Sequence, residues 1–294
     1  MIRCVGLSPA VDLTYETSAP LRAGAITRPT AVHRRAGGKA ANVARVVAAL
    51  GGESVLAGIV AGQPGRWLGE LARAEGLRTD LVESEHGETR LCTTVLGDPA
   101  PTELYEPSGP VDTAAWAELV AHEAAADATW TVVSGSAPPG IGHHDLAVLL
   151  AAAARQRPVA LDAHGPAVAT ALASGVPVDL LKVNRHEAAG LLRRPDDTAP
   201  EDLATGLASY AGSPVVVVTC GPDGAVAVDR DGVRRVAAGP HGRHPTGSGD
   251  AFLGALVLDL AAGHDLDTAL VAAAAAGSAN AQAPTAGDVS ALSL

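Results

Sequence analysis

Three small residues precede an acid in the segment Thr246–Asp250, and an apolar helix is predicted to follow at once over Gly249–Ala262. Glycines let the backbone turn tightly and point successive N–H groups outward, and a helix N-terminus adds partial positive charge. Such a turn can hold the oxygens of a phosphoryl group in transfer, and Asp250 could accept the proton of a hydroxyl that attacks the phosphorus. The alternative is an ordinary helix start, in which the acid only complements the helix dipole.

A pair of glycines, Gly37 and Gly38, stands directly before Lys39. The pair permits close approach of a ligand, and Asn42 can exchange hydrogen bonds with a sugar hydroxyl. The segment is not a P-loop, because the upstream glycine is missing and Ala40 stands where a Ser or Thr would hold Mg²⁺. The alternative is a strand-to-helix turn with Asn42 as the N-cap.

Two further segments place polar residues where a buried strand ends. Asn184 and Glu187 open a predicted helix shortly after Lys182, and oxygens three residues apart can face one point and bind Mg²⁺ through water. The same spacing also predicts a helix capping box. The strand that ends at Thr219 leads into a glycine-rich turn at 221–224, which fits under a nucleotide and equally fits a plain β-turn.

The composition is that of a globular protein. With 294 residues and ordinary apolar and charged fractions, the chain is predicted to form one domain over residues 1–294. Its net charge of -11 argues against a general role on nucleic acid or anionic membranes. The three cysteines are widely spaced and match neither a disulfide framework nor a zinc site, so a reducing cytoplasm is expected.

The hydrophobic pattern predicts an α/β fold in which a mostly parallel sheet is covered by helices. Strands are predicted at Ile2–Leu7, Ser54–Ile59, Trp130–Ser134, Val159–Asp162, Leu180–Val183, Val215–Thr219 and Ala225–Val228. Helices are predicted at Asn42–Leu50, Arg66–Ala74, Thr113–Ala125, His144–Ala154, Arg185–Leu192, Pro200–Tyr210, Gly249–Ala262 and Asp267–Ala281. Two segments, at about 11–36 and 88–107, alternate polar and apolar residues, which predicts antiparallel strands in a small flap outside the main sheet.

The motifs, in this order along the chain, resemble those of the phosphofructokinase B family, the ribokinase-like sugar kinases. They are the Gly-Gly segment, the Asn-x-x-Glu motif, the Thr-x-Gly-x-x-Gly turn and the late Gly-x-Gly-Asp loop. The resemblance runs from Gly6 to about Gly287. It implies a three-layer αβα sandwich with a small β-sheet lid, and phosphoryl transfer from ATP, with Mg²⁺, to a sugar.

Four more segments resemble the branch that phosphorylates sugar phosphates, which contains 1-phosphofructokinase, tagatose-6-phosphate kinase and the minor 6-phosphofructokinase. They are Leu7–Asp12, Gly87–Arg90, Thr102–Pro107 and Ser134–Gly140. A phosphorylated substrate needs a local cluster of cations in an acidic protein, and Lys39 and Arg90 are suitable because Arg in particular pairs with phosphate in bidentate fashion. Arg28, Arg34 and Arg35 either extend this cluster or form a solvated face.

The resemblance implies a role for each site residue. Asp250 would be the general base, and the anion hole would be formed by Gly247, Ser248 and Gly249. The sugar phosphate would be held by Asp12, Gly37, Gly38, Lys39, Asn42, Arg90 and Ser136. The nucleotide would be held by Lys182, Asn184, Glu187, Thr219, Gly221, Gly224 and Thr246, with Asn184 and Glu187 also organising Mg²⁺ through water. The lid would close over the substrate and pair with a second copy of the chain in a homodimer.

The chain departs from the family pattern at Ser8, Ala40, Val183, Pro245 and Ser248. None of these changes removes a charged group that the chemistry needs, but Ser8 and Ala40 lie near the sugar and bear on the choice of substrate. Fructose 1-phosphate is the favoured substrate, with tagatose 6-phosphate or fructose 6-phosphate as alternatives. A kinase for an unphosphorylated sugar or nucleoside, and a non-catalytic sugar-phosphate sensor, are the rival hypotheses.

Overall fold

The structure is a computed structural model that describes residues 1–97 and 100–292. Positions 98–99 belong to the predicted lid segment 88–107 and positions 293–294 end the predicted domain, and all four lie outside the described residues. Within the described ranges the chain forms thirteen strands and nine α-helices. No helix in these ranges combines the length and the apolar character that crossing a bilayer requires.

Strands and helices alternate along most of the described chain. The strands are β1 (Ile2–Gly6), β2 (Ala10–Glu16), β3 (Ala31–Gly37), β4 (Ser54–Ala61), β5 (Arg78–Ser84), β6 (Arg90–Leu96), β7 (Thr102–Tyr105), β8 (Trp130–Ser134), β9 (Val159–Asp162), β10 (Leu180–Asn184), β11 (Val215–Thr219), β12 (Ala225–Asp229) and β13 (Gly232–Val236). The helices are α1 (Lys39–Ala49), α2 (Gly62–Ala74), α3 (Thr113–Ala125), α4 (His143–Ala153), α5 (Pro166–Ala173), α6 (Arg185–Leu192), α7 (Pro200–Ala211), α8 (Ser248–Ala261) and α9 (Leu266–Asn280).

The main sheet contains nine strands in the order β13-β12-β11-β10-β9-β8-β1-β4-β5. The strands from β11 to β5 in this order are parallel, and β12 and β13 extend one edge in antiparallel pairing. Strands β1 and β4 are buried at every position, as expected for a parallel sheet with helices on both faces.

Helices form a layer on each face of the sheet. Helices α3 to α7 cover one face, where residues such as Trp116 and Leu149 fill the core. Helices α1, α2, α8 and α9 cover the other face, where residues such as Leu68 and Phe252 are packed. The predicted three-layer αβα sandwich with a mostly parallel central sheet is confirmed.

A second, separate sheet contains four strands in the order β3-β2-β6-β7, so the prediction of a small sheet outside the main one is confirmed. Strands β3 and β7 pair antiparallel with their neighbours, but β2 and β6 pair parallel, and the prediction of purely antiparallel strands was wrong at this pair. The chain leaves the main sheet after β1 to form β2, and it leaves the main sheet again after β5 to form β6. Because β1 and β5 run in the same direction, both excursions start from the same edge and run side by side.

Other differences concern the ends and edges of elements. Helix α1 begins at Lys39 rather than at Asn42, because Gly38 with a φ of 85° is the N-cap, so the alternative with Asn42 as the N-cap was wrong. Strands β5 and β13 and helix α5 were not predicted. The two strands are the edges of the main sheet and contain charged as well as apolar residues, without a regular alternation. Helix α5 has only 8 residues and begins with a proline directly after a glycine.

Candidate active site

A cavity of about 880 Å³ lies at the carboxyl ends of the parallel strands, where ligands of open α/β sheets bind. The predicted site residues in its lining are Asp12, Gly38, Lys39, Asn42, Arg90, Ser136, Lys182, Asn184, Thr219, Gly221, Gly224, Thr246, Gly247, Ser248, Gly249 and Asp250. Gly37 lies behind the carboxylate of Asp12, and Glu187 lies beside Lys39. The fold therefore collects side chains from distant parts of the chain around one cavity.

The loop before α8 presents backbone donors to this cavity. Gly247 is the N-cap with a φ of 84°, and a Cβ there would lie 2.6 Å from the Cβ of Ala286. Within the described part of the chain, the N–H groups of Gly247 and Gly249 donate to no protein acceptor. These two donors and the positive end of α8 are therefore available to an anion.

Asp250 lies in the first turn of α8 and is buried. The Nδ2 atom of Asn42 donates a 2.7 Å hydrogen bond to its Oδ2. Arg45 fixes the orientation of that amide, because its guanidinium donates to Oδ1 of Asn42 over 2.9 Å and leaves the amide nitrogen for the carboxylate. Burial, and then the negative charge of Asp162, raises the pKa of Asp250 to about 6. A carboxylate with this pKa is ionised at neutral pH and can accept a proton.

Asp162 joins two lysines next to Asp250. It ends β9 and accepts hydrogen bonds of 2.8 Å from Nζ of Lys39 and 2.8 Å from Nζ of Lys182. Burial opposes its ionisation, but the two ammonium groups hold the pKa of Asp162 below its ordinary value. Burial likewise opposes the charge on Lys39, and the carboxylates around it raise the pKa of Lys39 above its ordinary value. Asp162 and Lys39 are therefore both charged at neutral pH.

The small sheet forms another wall of the cavity. One row of residues crosses its four strands and consists of Arg35, Asp12, Cys92 and Tyr105. Burial raises the pKa of Asp12 to about 6, although the nearby Arg45 and Arg90 oppose the shift. A Cβ on Gly37 would lie 2.2 Å from Oδ1 of Asp12, so any larger residue at position 37 would clash with this carboxylate.

Two arginines of the small sheet carry buried guanidinium nitrogens that have no protein partner among the described residues. They are Nε of Arg90 and NH1 of Arg35. Arg90 makes only a 3.5 Å contact from its NH2 to the carbonyl of Ser8, and Arg35 lies 3.6 Å from Asp288. Buried polar groups are normally paired, so unpaired guanidinium donors beside a cavity fit an anionic ligand.

Asn184 and Glu187 cap helix α6, so the predicted capping box is formed. The Oδ1 atom of Asn184 accepts from the N–H of Glu187 over 2.8 Å, and Oε2 of Glu187 accepts from the N–H of Asn184 over 2.9 Å. The other oxygen, Oε1, lies 3.5 Å from Nδ1 of His164 and 3.9 Å from Nζ of Lys39. The described residues contain no cluster of three acidic, His or Cys side chains for a metal. One carboxylate oxygen fits Mg²⁺ that is held mainly by water and phosphate oxygens.

The other end of the cavity is a slot of small residues. The turn at Gly221 and Gly224 follows β11, and a Cβ on Gly224 would lie 2.0 Å from the carbonyl oxygen of Val236. The slot continues along a loop and one side of α9, with the lining residues Ala238, Gly239, Pro240, His241, Gly242, Ala274, Gly277, Ser278 and Ala281. Small side chains let a flat group approach the backbone closely, which suits a nucleotide base.

The small sheet contacts the loop before α8 directly. Thr246 Oγ1 donates a 2.9 Å hydrogen bond to Oε1 of Glu103 on β7, and the hydroxyl of Tyr105 donates to the same oxygen over 3.0 Å. The sheet thus lies across the cavity in the manner of a lid.

Asp162, Arg45 and the 238–242 loop were not predicted as site residues. Asp162 had a detectable signal, because it ends a predicted strand next to the strand of Lys182, and the carboxyl ends of parallel strands meet at one edge. Arg45 and the loop had none, because their roles arise from contacts with residues far away in the chain.

Comparisons with known proteins agree with this geometry. The family model described as pfkB family carbohydrate kinase matches residues 1–291. Phosphofructokinase-2 from Escherichia coli in complex with fructose-6-phosphate is 30% identical with a TM-score of 0.85, over 95% of this chain and 93% of that chain. The same enzyme in complex with substrates and products is 29% identical with a TM-score of 0.87, over 96% and 93%. A Thermotoga maritima protein described as a possible 1-phosphofructokinase has the same fold, with 22% identity, a TM-score of 0.86 and coverage of 97% and 93%. The chain therefore belongs to the pfkB family of carbohydrate kinases, phosphotransferases that act on a sugar hydroxyl.

Proposed function

We propose that this kinase transfers the γ-phosphoryl group of ATP to a hydroxyl of a ketohexose phosphate, with Asp250 as the general base. The observation that carries the proposal is the position of that carboxylate. It is buried in the cavity wall, in the same helix turn as the free N–H groups of Gly247 and Gly249. A proton acceptor and an anion-binding loop thus lie side by side, as phosphoryl transfer to an alcohol requires.

In this mechanism the sugar hydroxyl attacks the γ-phosphorus, the bond from that phosphorus to the bridging oxygen breaks so that ADP leaves, and the hydroxyl proton moves to Asp250. The raised pKa suits the transfer, because a base near neutral pKa accepts the proton more readily than an ordinary carboxylate. The N–H groups of Gly247 and Gly249, together with the dipole of α8, stabilise the charge on the transferring oxygens.

The small sheet would bind the sugar phosphate. Arg90 lines the cavity and offers an unpaired donor for a phosphate, and Asp12 can accept hydrogen bonds from sugar hydroxyls. Arg35, which pairs with Asp12 in the small sheet, carries a second unpaired donor. An unphosphorylated sugar or nucleoside would leave those guanidinium donors without a partner, which disfavours that rival. Contact of the lid with Thr246 would exclude water, which otherwise competes with the sugar hydroxyl for the phosphoryl group.

The nucleotide would occupy the slot between the turn at 221–224 and α9, with its phosphates directed toward Lys182 and Asn184. Mg²⁺, when bound, would neutralise charge on those phosphates. Glu187 would orient its waters through Oε1, the oxygen that the helix cap leaves free.

Fructose 1-phosphate is the first candidate substrate, because the segments Leu7–Asp12 and Gly87–Arg90 resemble the sugar-phosphate branch of the family. Tagatose 6-phosphate is the second. Fructose 6-phosphate is the third, since the Escherichia coli phosphofructokinase-2 that is 30% identical forms a complex with it. Ser8, where the branch usually has Asn, contacts Ser108 and lies at Arg90, so it is placed to influence this choice.

The test is a coupled assay of ADP release from MgATP over a panel of the three ketohexose phosphates, free fructose and free ribose. The proposal predicts that one ketohexose phosphate is used far more efficiently than either free sugar. Faster turnover of a free sugar would overturn the choice of substrate class. The sensor hypothesis predicts binding of a sugar phosphate without any ADP release, in the wild type as well as in the Asp250→Asn variant.

A homodimer through the lid follows as a second part of the proposal. On the face of the small sheet that does not carry Asp12, Leu104 of β7 is 64% exposed in a row with Leu13 and Thr93. An exposed leucine on an edge strand favours burial against another chain. Analytical ultracentrifugation should show a dimer for the wild type and a monomer for Leu104→Arg, and a monomeric wild type would contradict the proposal.

A further inference from the structure

One buried carboxylate holds two lysines in the cavity wall. Oδ1 of Asp162 accepts a 2.8 Å hydrogen bond from Nζ of Lys39, and Oδ2 accepts a 2.8 Å hydrogen bond from Nζ of Lys182. The side chain of Asp162 is 1% exposed, so both of its oxygens are committed to the two ammonium groups. Asp162 itself does not line the cavity, whereas both lysines do.

Each ammonium group also lies close to a second element of the proposed site. A Cβ on Gly249 would lie 2.8 Å from Nζ of Lys182, so this lysine contacts the anion-binding loop. Nζ of Lys39 lies 3.9 Å from Oε1 of Glu187, on the side proposed for the nucleotide phosphates. The lysines thus connect the donor side of the cavity with the loop that would receive the transferring group.

Charge and hydrogen bonding explain why Asp162 is needed there. Two ammonium groups in a buried wall repel each other and lose hydration, and a carboxylate between them offsets both effects. Because this cluster contains two ammonium groups and one carboxylate, its net charge is positive. Each ammonium has three N–H donors, so after bonding Asp162 each still has donors for ligand oxygens.

We propose that Asp162 is a positioning residue for phosphoryl transfer, which fixes Lys39 and Lys182 so that their remaining donors meet the phosphoryl group as it moves. The proposal rests on the kinase mechanism above. Asp162 acts only through the lysines and does not touch the substrate. Because donors aligned with a moving group stabilise the transition state more than the bound substrate, the loss of Asp162 lowers kcat much more than it changes KM.

A purely structural role is the competing explanation, because breaking a buried ion pair destabilises a protein wherever it lies. The chain contains a matched control. Glu123 is a fully buried carboxylate that bridges two cations, with Arg3 Nε at 2.5 Å and Arg157 NH2 at 3.2 Å. It does not line the cavity.

The experiment compares Asp162→Asn with Glu123→Gln, using MgATP and the best substrate of the panel. Urea unfolding should show lower stability in both variants. Only Asp162→Asn should lose kcat, by about 100- to 1,000-fold, which is the usual effect of removing one preorganised electrostatic group. A kcat for Asp162→Asn no lower than that of Glu123→Gln would overturn the proposal.

The pH profile adds a readout that a structural role would not move. The groups facing Asp250 are Lys39 and Asn42 of α1, Asp162 of β9, Lys182 of β10 and Asp12 of β2. Removing the negative charge of Asp162 favours ionisation of Asp250, so the acid limb of kcat/KM should move to lower pH in Asp162→Asn. The phosphate of the sugar titrates identically with both enzymes and does not affect the comparison. A limb that stays in place or moves upward would contradict the proposal.

Binding measurements separate failure of this inference from failure of the proposed function. Calorimetry with MgADP plus aluminium fluoride, a mimic of the transferring group, should show weaker binding to Asp162→Asn, whereas MgADP alone should bind as to the wild type. This difference supports the positioning role even if no sugar phosphate of the panel is used. If Asp162→Asn does not fold, Lys39→Gln serves instead. Lys39→Gln should lower kcat and weaken the binding of MgADP plus aluminium fluoride. A change confined to the KM for the sugar would overturn the proposal.

Discussion

Gly37 is the position at which one methyl group should disturb sugar binding without disturbing the fold. A Cβ built on Gly37 would lie 2.2 Å from Cγ and Oδ1 of Asp12 and 2.6 Å from Oδ2. Gly37 does not have a positive φ, so its backbone accepts alanine. The carboxylate is the flexible end of a side chain and can yield. Gly37→Ala should therefore fold normally while Asp12 is displaced.

The size of the effect follows from the displacement. An ordinary contact begins at 3.4 Å, so the carboxylate must move by about 1.2 Å from its position at 2.2 Å. A misplacement of about 1 Å in a positioning group can lower catalytic efficiency about 100-fold. We therefore expect kcat/KM for the sugar phosphate to fall by about that factor, while the KM for ATP changes little.

Steady-state kinetics and thermal unfolding of four variants test this reasoning. Gly190→Ala is the control, because its Cβ meets nothing within 4 Å, and an exposed helical site gains about 1 kcal/mol from alanine. If Gly37→Ala acts only through Asp12, then Asp12→Ala and the double variant should have the same kcat/KM. Additive losses, or a full-activity Gly37→Ala, would refute the reasoning.

Three further predictions concern the reacting groups. First, kcat/KM should fall below about pH 6 and approach a tenfold fall per pH unit, because Asp250, whose pKa is raised to about 6, must be ionised to accept the proton; a rate profile that is flat down to pH 5 would exclude it as the base. Second, Asp250→Asn should lower kcat by about 100- to 10,000-fold, and calorimetry should show ATP binding little changed; near-normal turnover would remove the residue from the chemistry. Third, Arg90→Ala should raise the sugar-phosphate KM by about 10- to 100-fold, since a charge-assisted hydrogen bond contributes about 1.5–3 kcal/mol. Arg90→Lys should recover part of that loss, and an unchanged KM in Arg90→Ala would exclude the phosphate contact.

Much of the site could be predicted because its motifs are local. The anion-binding loop needs glycines followed at once by a helix, and the nine residues from 246 to 254 contain both. The capping box of Asn184 and Glu187 was predicted as an alternative to a metal-binding role, and the structure shows that it forms and still leaves Oε1 of Glu187 free. Local structure and function are therefore compatible at this motif.

The bonding partner of Lys39 could not be predicted from the residues next to it in the sequence. The family resemblance implied a contact of Lys39 with the sugar phosphate, and the structure adds that its ammonium is bonded to Asp162 and lies near Glu187, a residue predicted for the nucleotide. The reach of a lysine side chain does not follow from its neighbours in the sequence. It depends on which strands the sheet places beside α1.

The sequence by itself determined the α/β class and the glycine-containing turn at 246–250 that leads into a helix, because hydrophobic period, glycine and helix signals act over a few neighbouring residues. Only the tertiary structure decided the partners of the reacting groups. Asn42 meets Asp250 across 208 positions, and Lys39 meets Asp162 across 123. These contacts depend on the order and direction of the strands, because they join residues that are far apart in the sequence.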